Sequence, residues 1–273
     1  MKLADALEMV TRTDPGMVRS HNEDALYANA GLGIGILADG MGGYNAGEVA
    51  SGMATMRLAE DLARIIVSEA EHGRSLSDPA VVGQHIVDEI GATNQTIFNA
   101  SHSCAQYAGM GTTLVMAWFY NNRMSVAHVG DSRLYRLRDK NLELLTRDHS
   151  LLQEQLDDGI ITAEQARHAE YRNLVTRALG VDPAVEVEVN DYEMRPGDIV
   201  LLCSDGLNDM IDDDEIALSL STLAGNLPLA AEHLVNLSND NGGRDNVSVI
   251  LVKVLGDYGS PGAWWQRLLA RLK

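Results

Sequence analysis

One join recurs along this chain and limits what it can fold into: a short apolar run ending on an aspartate beside a glycine or another breaker. Ile34, Ile36, Leu37 and Ala38 lead into Asp39–Gly40, and Val126, Ala127, His128 and Val129 lead into Gly130–Asp131. Ile199, Val200, Leu201 and Leu202 lead into Asp205–Gly206, and Asp245 stands just ahead of the run Val247–Val252. Apolar runs of this length bounded by glycine read as buried strands. Strands laid side by side would gather the four carboxylates at one end of a sheet. Like charges there repel unless a cation lies between them. The pattern predicts a sheet and a metal cluster together.

Between the strands the periodicity changes. Val49, Met53, Met56, Leu62 and Ile66 predict a long amphipathic helix from about Ala46, and Val82, Ile86, Ile90 and Ile97 a second. Residues 112–145 alternate and turn at Asn121–Asn122, as an antiparallel meander would. The stretch from Asp148 to about Pro183 is more helical and polar and reads as a flap over one edge, after which 184–193 and 198–204 return to strand character. Strand runs with helix pairs inserted between them favour an α+β fold over an alternating doubly wound one. With 273 residues the chain is long enough for one large domain or two small ones.

Charge and composition exclude several classes of function. A net charge of -18 argues against nucleic acid as a partner, because no basic surface is available to neutralise phosphates. No apolar run reaches the roughly 18 residues of a membrane span. Met1–Val10 carries Asp5 and Glu8 and lacks a signal-peptide core, so a cytoplasmic location is expected. Cys104 and Cys203 have no metal-ligand spacing and read as reduced thiols. Gly31–Leu32–Gly33–Ile34–Gly35 precedes a strand rather than opening a helix, which rules out a dinucleotide loop, and there is no P-loop motif.

The residues around the first strand end carry chemistry. Asp39–Gly40–Met41–Gly42–Gly43 lets carboxylate and carbonyl oxygens face a hard cation, and Mg2+ and Mn2+ prefer such ligands. Upstream, Arg19 stands close to Glu23 and Asp24, and a guanidinium grips phosphate by two bonds. Taken in order, R-x-x-N-E-D from Arg19, D-G-M-G-G from Asp39, G-M-G-T-T from Gly109, V-G-D-S-R from Val129, C-S-D-G-L from Cys203 and G-G-R-D-N-V-S-V from Gly242 span nearly the whole chain. From about residue 8 to 255 it resembles the metal-dependent protein phosphatases of type 2C, the PPM family, in their compact bacterial form.

That resemblance implies a four-layer α-β-β-α sandwich, two antiparallel sheets flanked by helix pairs, with a dinuclear metal site at one edge. It implies a catalytic domain over 1–255 with a flap at about 148–183, and leaves 256–273 as a linker and short basic amphipathic tail. Asp39 matches the aspartate bridging two metals, Gly40 a carbonyl ligand of the second, and Asp205 and Asp245 the remaining ligands of the first. Glu23 matches an acid reaching the second metal partly through water, and Asp24 an outer-shell acid. Arg19 matches the phosphate-binding arginine. Asp131 matches a third-metal ligand, with Asp209 contributing through water. The cofactors implied are two or three Mn2+ or Mg2+ ions. The implied reaction is hydrolysis of phosphoserine and phosphothreonine in proteins by metal-activated water, opposing eukaryotic-type bacterial Ser/Thr kinases and acting on their targets. Two other readings fit the same fold: an inactive phosphoprotein-binding module, and a phosphatase of small phosphoesters.

Departures from the family pattern matter too. Met41 and Tyr44 stand where relatives often carry histidine, which leaves the general acid unassigned. His21, His128 and His149 read as packing or hydrogen-bonding residues. No C-x5-R signature is present, so a phosphocysteine route is not expected. Trp264, Trp265, Leu268, Leu269 and Leu272 form an apolar stripe in the tail beside Arg267, Arg271 and Lys273. Such a stripe can lie on a membrane or dock onto a partner, and its plainer reading is that it packs on its own domain or frays. Nothing indicates an obligate oligomer, and a monomer is expected.

Overall fold

A computed structural model describes residues 1–43, 46–72, 76–166 and 174–259, leaving out the side chains of 163 and 164. Tyr44, part of the flap and the apolar stripe of the tail lie outside the described residues. Two antiparallel sheets face each other. One has the strand order β1 (Leu7–Asp14), β11 (Val247–Val254), β10 (Ile199–Cys203), β7 (Arg133–Arg138), β8 (Asn141–Leu144). The other runs β2 (Asp24–Asn29), β3 (Ile34–Met41), β5 (Leu114–Tyr120), β6 (Arg123–Val129), β9 (Glu188–Glu193), with β4 (Gly111–Thr112) paired to the end of β3. A single helical turn, α1 (Leu3–Ala6), leads into β1.

Alternation of side chains builds three packed layers. On β3, Ile34, Ile36 and Ala38 join the cluster beneath α2 (Ala46–Glu71) and α3 (Pro79–Ser103), while Leu37 joins the cluster between the sheets. On β11, Val247, Val249 and Leu251 face α7 (Asp213–Thr222) and α8 (Leu227–Asp240), while Ile250, Val252 and Val254 face the other sheet. Each such valine, leucine or isoleucine taken out of water contributes about 1.5–3 kcal/mol. The result is the four-layer α-β-β-α sandwich.

Several elements differ from the periodicity. The buried face of α2 adds small residues, Ala46, Gly47, Ala50, Ser51, Ala54 and Ala59, to the expected Leu62, with Val49, Met53 and Ile66 packed beside them, while Met56 is 66% exposed. The reason is close approach: a Cβ on Gly40 would lie 2.2 Å from the Gly47 carbonyl, so this end of the helix has no room for large side chains. In α3, Val82, Ile86, Ile90 and Ile97 are all fully buried, and Asp78 caps the helix by accepting from Ala80 N–H. The flap is less helical than expected. Its described part holds α4 (Leu151–Asp157), α5 (Ala163–Ala166) and an isolated bridge from Ser150 to Val175. Strand character after it begins only at Glu188. Gly256–Gly259 is not a free linker: Tyr258 is buried between the sheets, and its N–H donates to Asn122 Oδ1 at 2.7 Å. The packed unit therefore reaches at least residue 259 rather than ending at 255. Among the described residues no helix is long and apolar enough to cross a membrane.

Candidate active site

The alternation that fills the inter-sheet core also delivers its acids. Leu37 on β3 and Leu26 on β2 point between the sheets, and two residues along each strand that face reaches Asp39 and Asp24. These two aspartates are register partners. Across the gap, Val200 and Leu202 of β10 hand the same face to Ser204, whose hydroxyl donates to Asp24 Oδ2 at 2.9 Å. Ser248 N–H donates in turn to Ser204 Oγ at 3.0 Å. Asp24 thus links the two sheets beneath the site.

Asp205 opens the short helix α6 (Asp205–Asn208) directly after β10. Its neighbour Gly206 is pressed onto the loop before β11, where a Cβ would lie 2.0 Å from the Asn246 carbonyl. Asp209 follows one turn on, its N–H donating to Asp205 O at 2.8 Å. Asp245 accepts Asn246 N–H on Oδ1 at 2.9 Å and Arg19 Nη2 on Oδ2 at 2.7 Å. Arg19 is the exposed member, with about half its side chain in water. Glu23 lies at the α2 end, and a Cβ on Gly47 would stand 2.9 Å from its Oε1. Gly40 pairs with Thr112 in β4, and its N–H donates to Glu23 O at 3.1 Å. Asp131 follows the Gly130 corner and is 9% exposed.

The electrostatics show an excess of negative charge. Burial pushes the Asp39 carboxyl well above its ordinary range, and Asp24, Asp205, Asp131 and Asp245 push it further. Burial does the same to Asp205, with Asp131, Asp209, Asp245 and Asp24 adding repulsion. Asp24 is raised to about 6 by burial, against the opposing pull of hydrogen bonds from Ser248 and Ser204. Asp131 is also raised to about 6, by burial and then by Asp148. Asp24 Oδ1 and Asp205 Oδ1 are buried without a hydrogen-bond partner. A buried, all-oxygen set with more charge than it can hold fits hard divalent cations such as Mg2+ or Mn2+.

A family model described as Protein phosphatase 2C matches residues 18–239. The chain belongs to the protein phosphatase 2C family. It is 39% identical over 256 residues to "Serine/threonine protein phosphatase PstP" of Mycobacterium tuberculosis, covering 93% of this chain but 46% of that protein's length. It is 38% identical over 248 residues to "Serine/threonine phosphatase stp" of Listeria monocytogenes, covering 89% of this chain and 94% of that one. A solved structure of the catalytic domain of PstP in complex with 2 manganese ions superposes with a TM-score of 0.78 at 36% identity, covering 92% of this chain and 99% of that one.

In this phosphatase 2C chain, all nine residues singled out from the sequence lie along one edge of the sandwich. Other residues at that edge hold these in place. The Asn246 side chain accepts Glu23 N–H at 2.8 Å and donates to Pro15 O and His21 O, each at 3.0 Å, latching the Arg19 loop to the Asp245 loop. Thr113 Oγ1 accepts Asp39 N–H at 3.1 Å and meets Ser132 Oγ at 2.7 Å, and Thr112 Oγ1 donates to Asp39 O at 2.8 Å. Each lies within one of the ordered motifs, and that membership was the only available signal, since Thr113 is 74 positions from the Asp39 it holds. Cys203 is fully buried, with its thiol pushed up to about 12 by burial, so it is no nucleophile.

Proposed function

We propose that this chain hydrolyses phosphoserine and phosphothreonine in proteins, with two or three Mn2+ or Mg2+ ions held by its aspartate edge. The observation that carries the reading is the convergence of Asp39, Asp205 and Asp245 from separate elements into one overcharged cluster with Arg19 at its rim. Asp39 would bridge the ions, with Asp205 and Asp245 on the first and the Gly40 carbonyl and Glu23 on the second. Asp24 stands behind Asp39 as an outer support, and Asp131 and Asp209 would serve a third ion. When bound, such ions supply an acidified water as nucleophile and neutralise charge on the phosphoryl group.

The chain's own residues do the rest. Arg19, already bonded to Asp245, offers a guanidinium at the mouth of the site that turns to the substrate phosphate. Ser204 and Asn246 fix Asp24 and the loops that carry Arg19, Glu23 and Asp245. Met41 brings no proton to the leaving oxygen, so no side chain at this position acts as the general acid. Residues 148–183 serve as a flap. Substrates are phosphoproteins, including targets of Ser/Thr kinases. The protein works as a cytoplasmic monomer, without nucleic acid. The manganese in the PstP structure and the names of the two serine/threonine phosphatases support this reading.

The test compares kcat/KM for a phosphothreonine peptide and for p-nitrophenyl phosphate in the wild type, Asp39→Asn and Asp205→Asn. Each substitution is expected to cost on the order of 10²–10³, with the peptide preferred by the wild type. Unchanged hydrolysis by Asp39→Asn would overturn the mechanism, and preference for the small ester would overturn the substrate assignment.

A further inference from the structure

His128, His149 and Glu188 also stand within ligand range of one another, at the flap side of the sandwich. The two imidazoles stack, with centroids 4.7 Å apart and planes 15° from parallel. Hydrogen bonds decide whether this group is a metal site. Gly130 N–H donates to His149 Nδ1 at 3.2 Å, so that nitrogen bears no proton and the neutral ring carries its proton on Nε2. His128 Nε2 lies 2.8 Å from the Arg147 carbonyl, which can only accept, so it too is protonated. Neither Nε2 has a lone pair for a cation. Glu188 Oε2, 3.6 Å from His149 Nε2, faces N–H groups and is not a co-ligand. Burial lowers the His149 pKa to about 4 and keeps the ring neutral.

The ring's other nitrogen has a use. Gly130 adopts φ +104°, and a Cβ there would lie 2.7 Å from Thr113 Cγ2, so the corner admits only glycine and has no side chain to anchor it. His149 grips this corner twice, through Nδ1 and through its own N–H, which donates to Gly130 O at 2.9 Å. The next residue is Asp131. On its far side, His149 O accepts Thr176 N–H at 2.8 Å, and Leu151 N–H donates to Leu174 O at 2.9 Å, so the same residue is tied to the flap segment 174–176.

We propose that His149 is a positioning residue, whose Nδ1 fixes the Gly130–Asp131 corner so that Asp131 faces Asp205 and Asp209. This rests on the reading of Asp131 as a cation ligand. Asparagine places an acceptor oxygen close to the Nδ1 position, whereas glutamine reaches only toward Nε2. Manganese binding to the EDTA-treated full chain, measured by calorimetry, separates the possibilities. Asp131→Asn is expected to abolish a weak class of Mn2+ sites. His149→Gln is expected to weaken that class about tenfold, and His149→Asn to keep the wild-type affinity. A His149 that only fills space would make both variants fail alike, and that result, or no effect of His149→Gln, overturns the inference while Asp131→Asn still supports the site. Unchanged binding by Asp131→Asn would instead remove the reading on which it rests. In the wild type the 15N signal of His149 Nδ1 is expected to be of the unprotonated type, and a protonated Nδ1 overturns the inference whether or not the variants fold.

Discussion

Asp131 shows what the cluster costs a bare protein. Its folded pKa of about 6 lies above the ordinary 3.8, so as pH rises the unfolded chain gives up this proton first. The stability it contributes is present below about pH 4 and is lost as pH climbs through 6. Asp24 behaves the same way, while His149, depressed to about 4, works in the opposite direction between 4 and 6.5. Without divalent cations, Asp131→Asn is therefore expected to raise Tm at pH 7.5 and to flatten its fall between pH 4 and 6. Thermal unfolding in EDTA checks this, with about 2–4 °C expected for each kcal/mol of repulsion removed. An unchanged Tm would mean that the corner tolerates its charge. At this scale Asp39, Asp205 and Asp245 were legible because each closes or opens an apolar run. Ser204, Thr113 and Asn246 were not, because a short polar residue beside a turn looks the same whether it faces water or an acid on the opposite sheet.

Among the elements, α6 and the loop before β11 set the spacing between Asp205 and Asp245. Gly206 makes that approach possible, and an added methyl would stand 2.0 Å from the Asn246 carbonyl backbone oxygen. Gly206→Ala is expected to destabilise the fold by about 1–3 kcal/mol and to weaken cation binding more than the stability loss explains. Urea unfolding alongside Mn2+ titration checks both, and wild-type affinity in a destabilised variant would contradict the role. The hairpin at Asn121–Asn122 was visible because both residues take positive φ, 44° and 58°, which asparagine tolerates. The equivalent turn at Asp139–Lys140, φ 51° and 68°, was not singled out, because lysine carries no such signal. On α2 the periodicity holds for Leu62, which is buried, and for Val49, Met53 and Ile66, which pack on the core. Met56 alone faces out, and the contact with Gly40 adds small residues that a count of large apolar ones does not see.

Across the whole molecule, three apolar layers carry a site that none of them contains. The sheets are held together by Leu37, Phe119, Val200, Ile250 and Tyr258, and where that packing runs out the same faces present Asp24, Asp39 and Ser204. Periodicity alone supported an α+β class. The stacking of two sheets between helix pairs came from the ordered motifs, because which sheet packs on which is a matter of residues far apart in sequence. The proposed chemistry requires that this edge work only with divalent cations. It is tested most directly by stripping the full chain with EDTA, treating it with a thiol-blocking reagent, and following phosphate release from a phosphothreonine peptide as Mn2+ is returned. Silence in EDTA and full recovery with Mn2+, undiminished by the thiol block, is the predicted result. Hydrolysis without cations, or continued silence of a folded protein at saturating Mn2+, would contradict it.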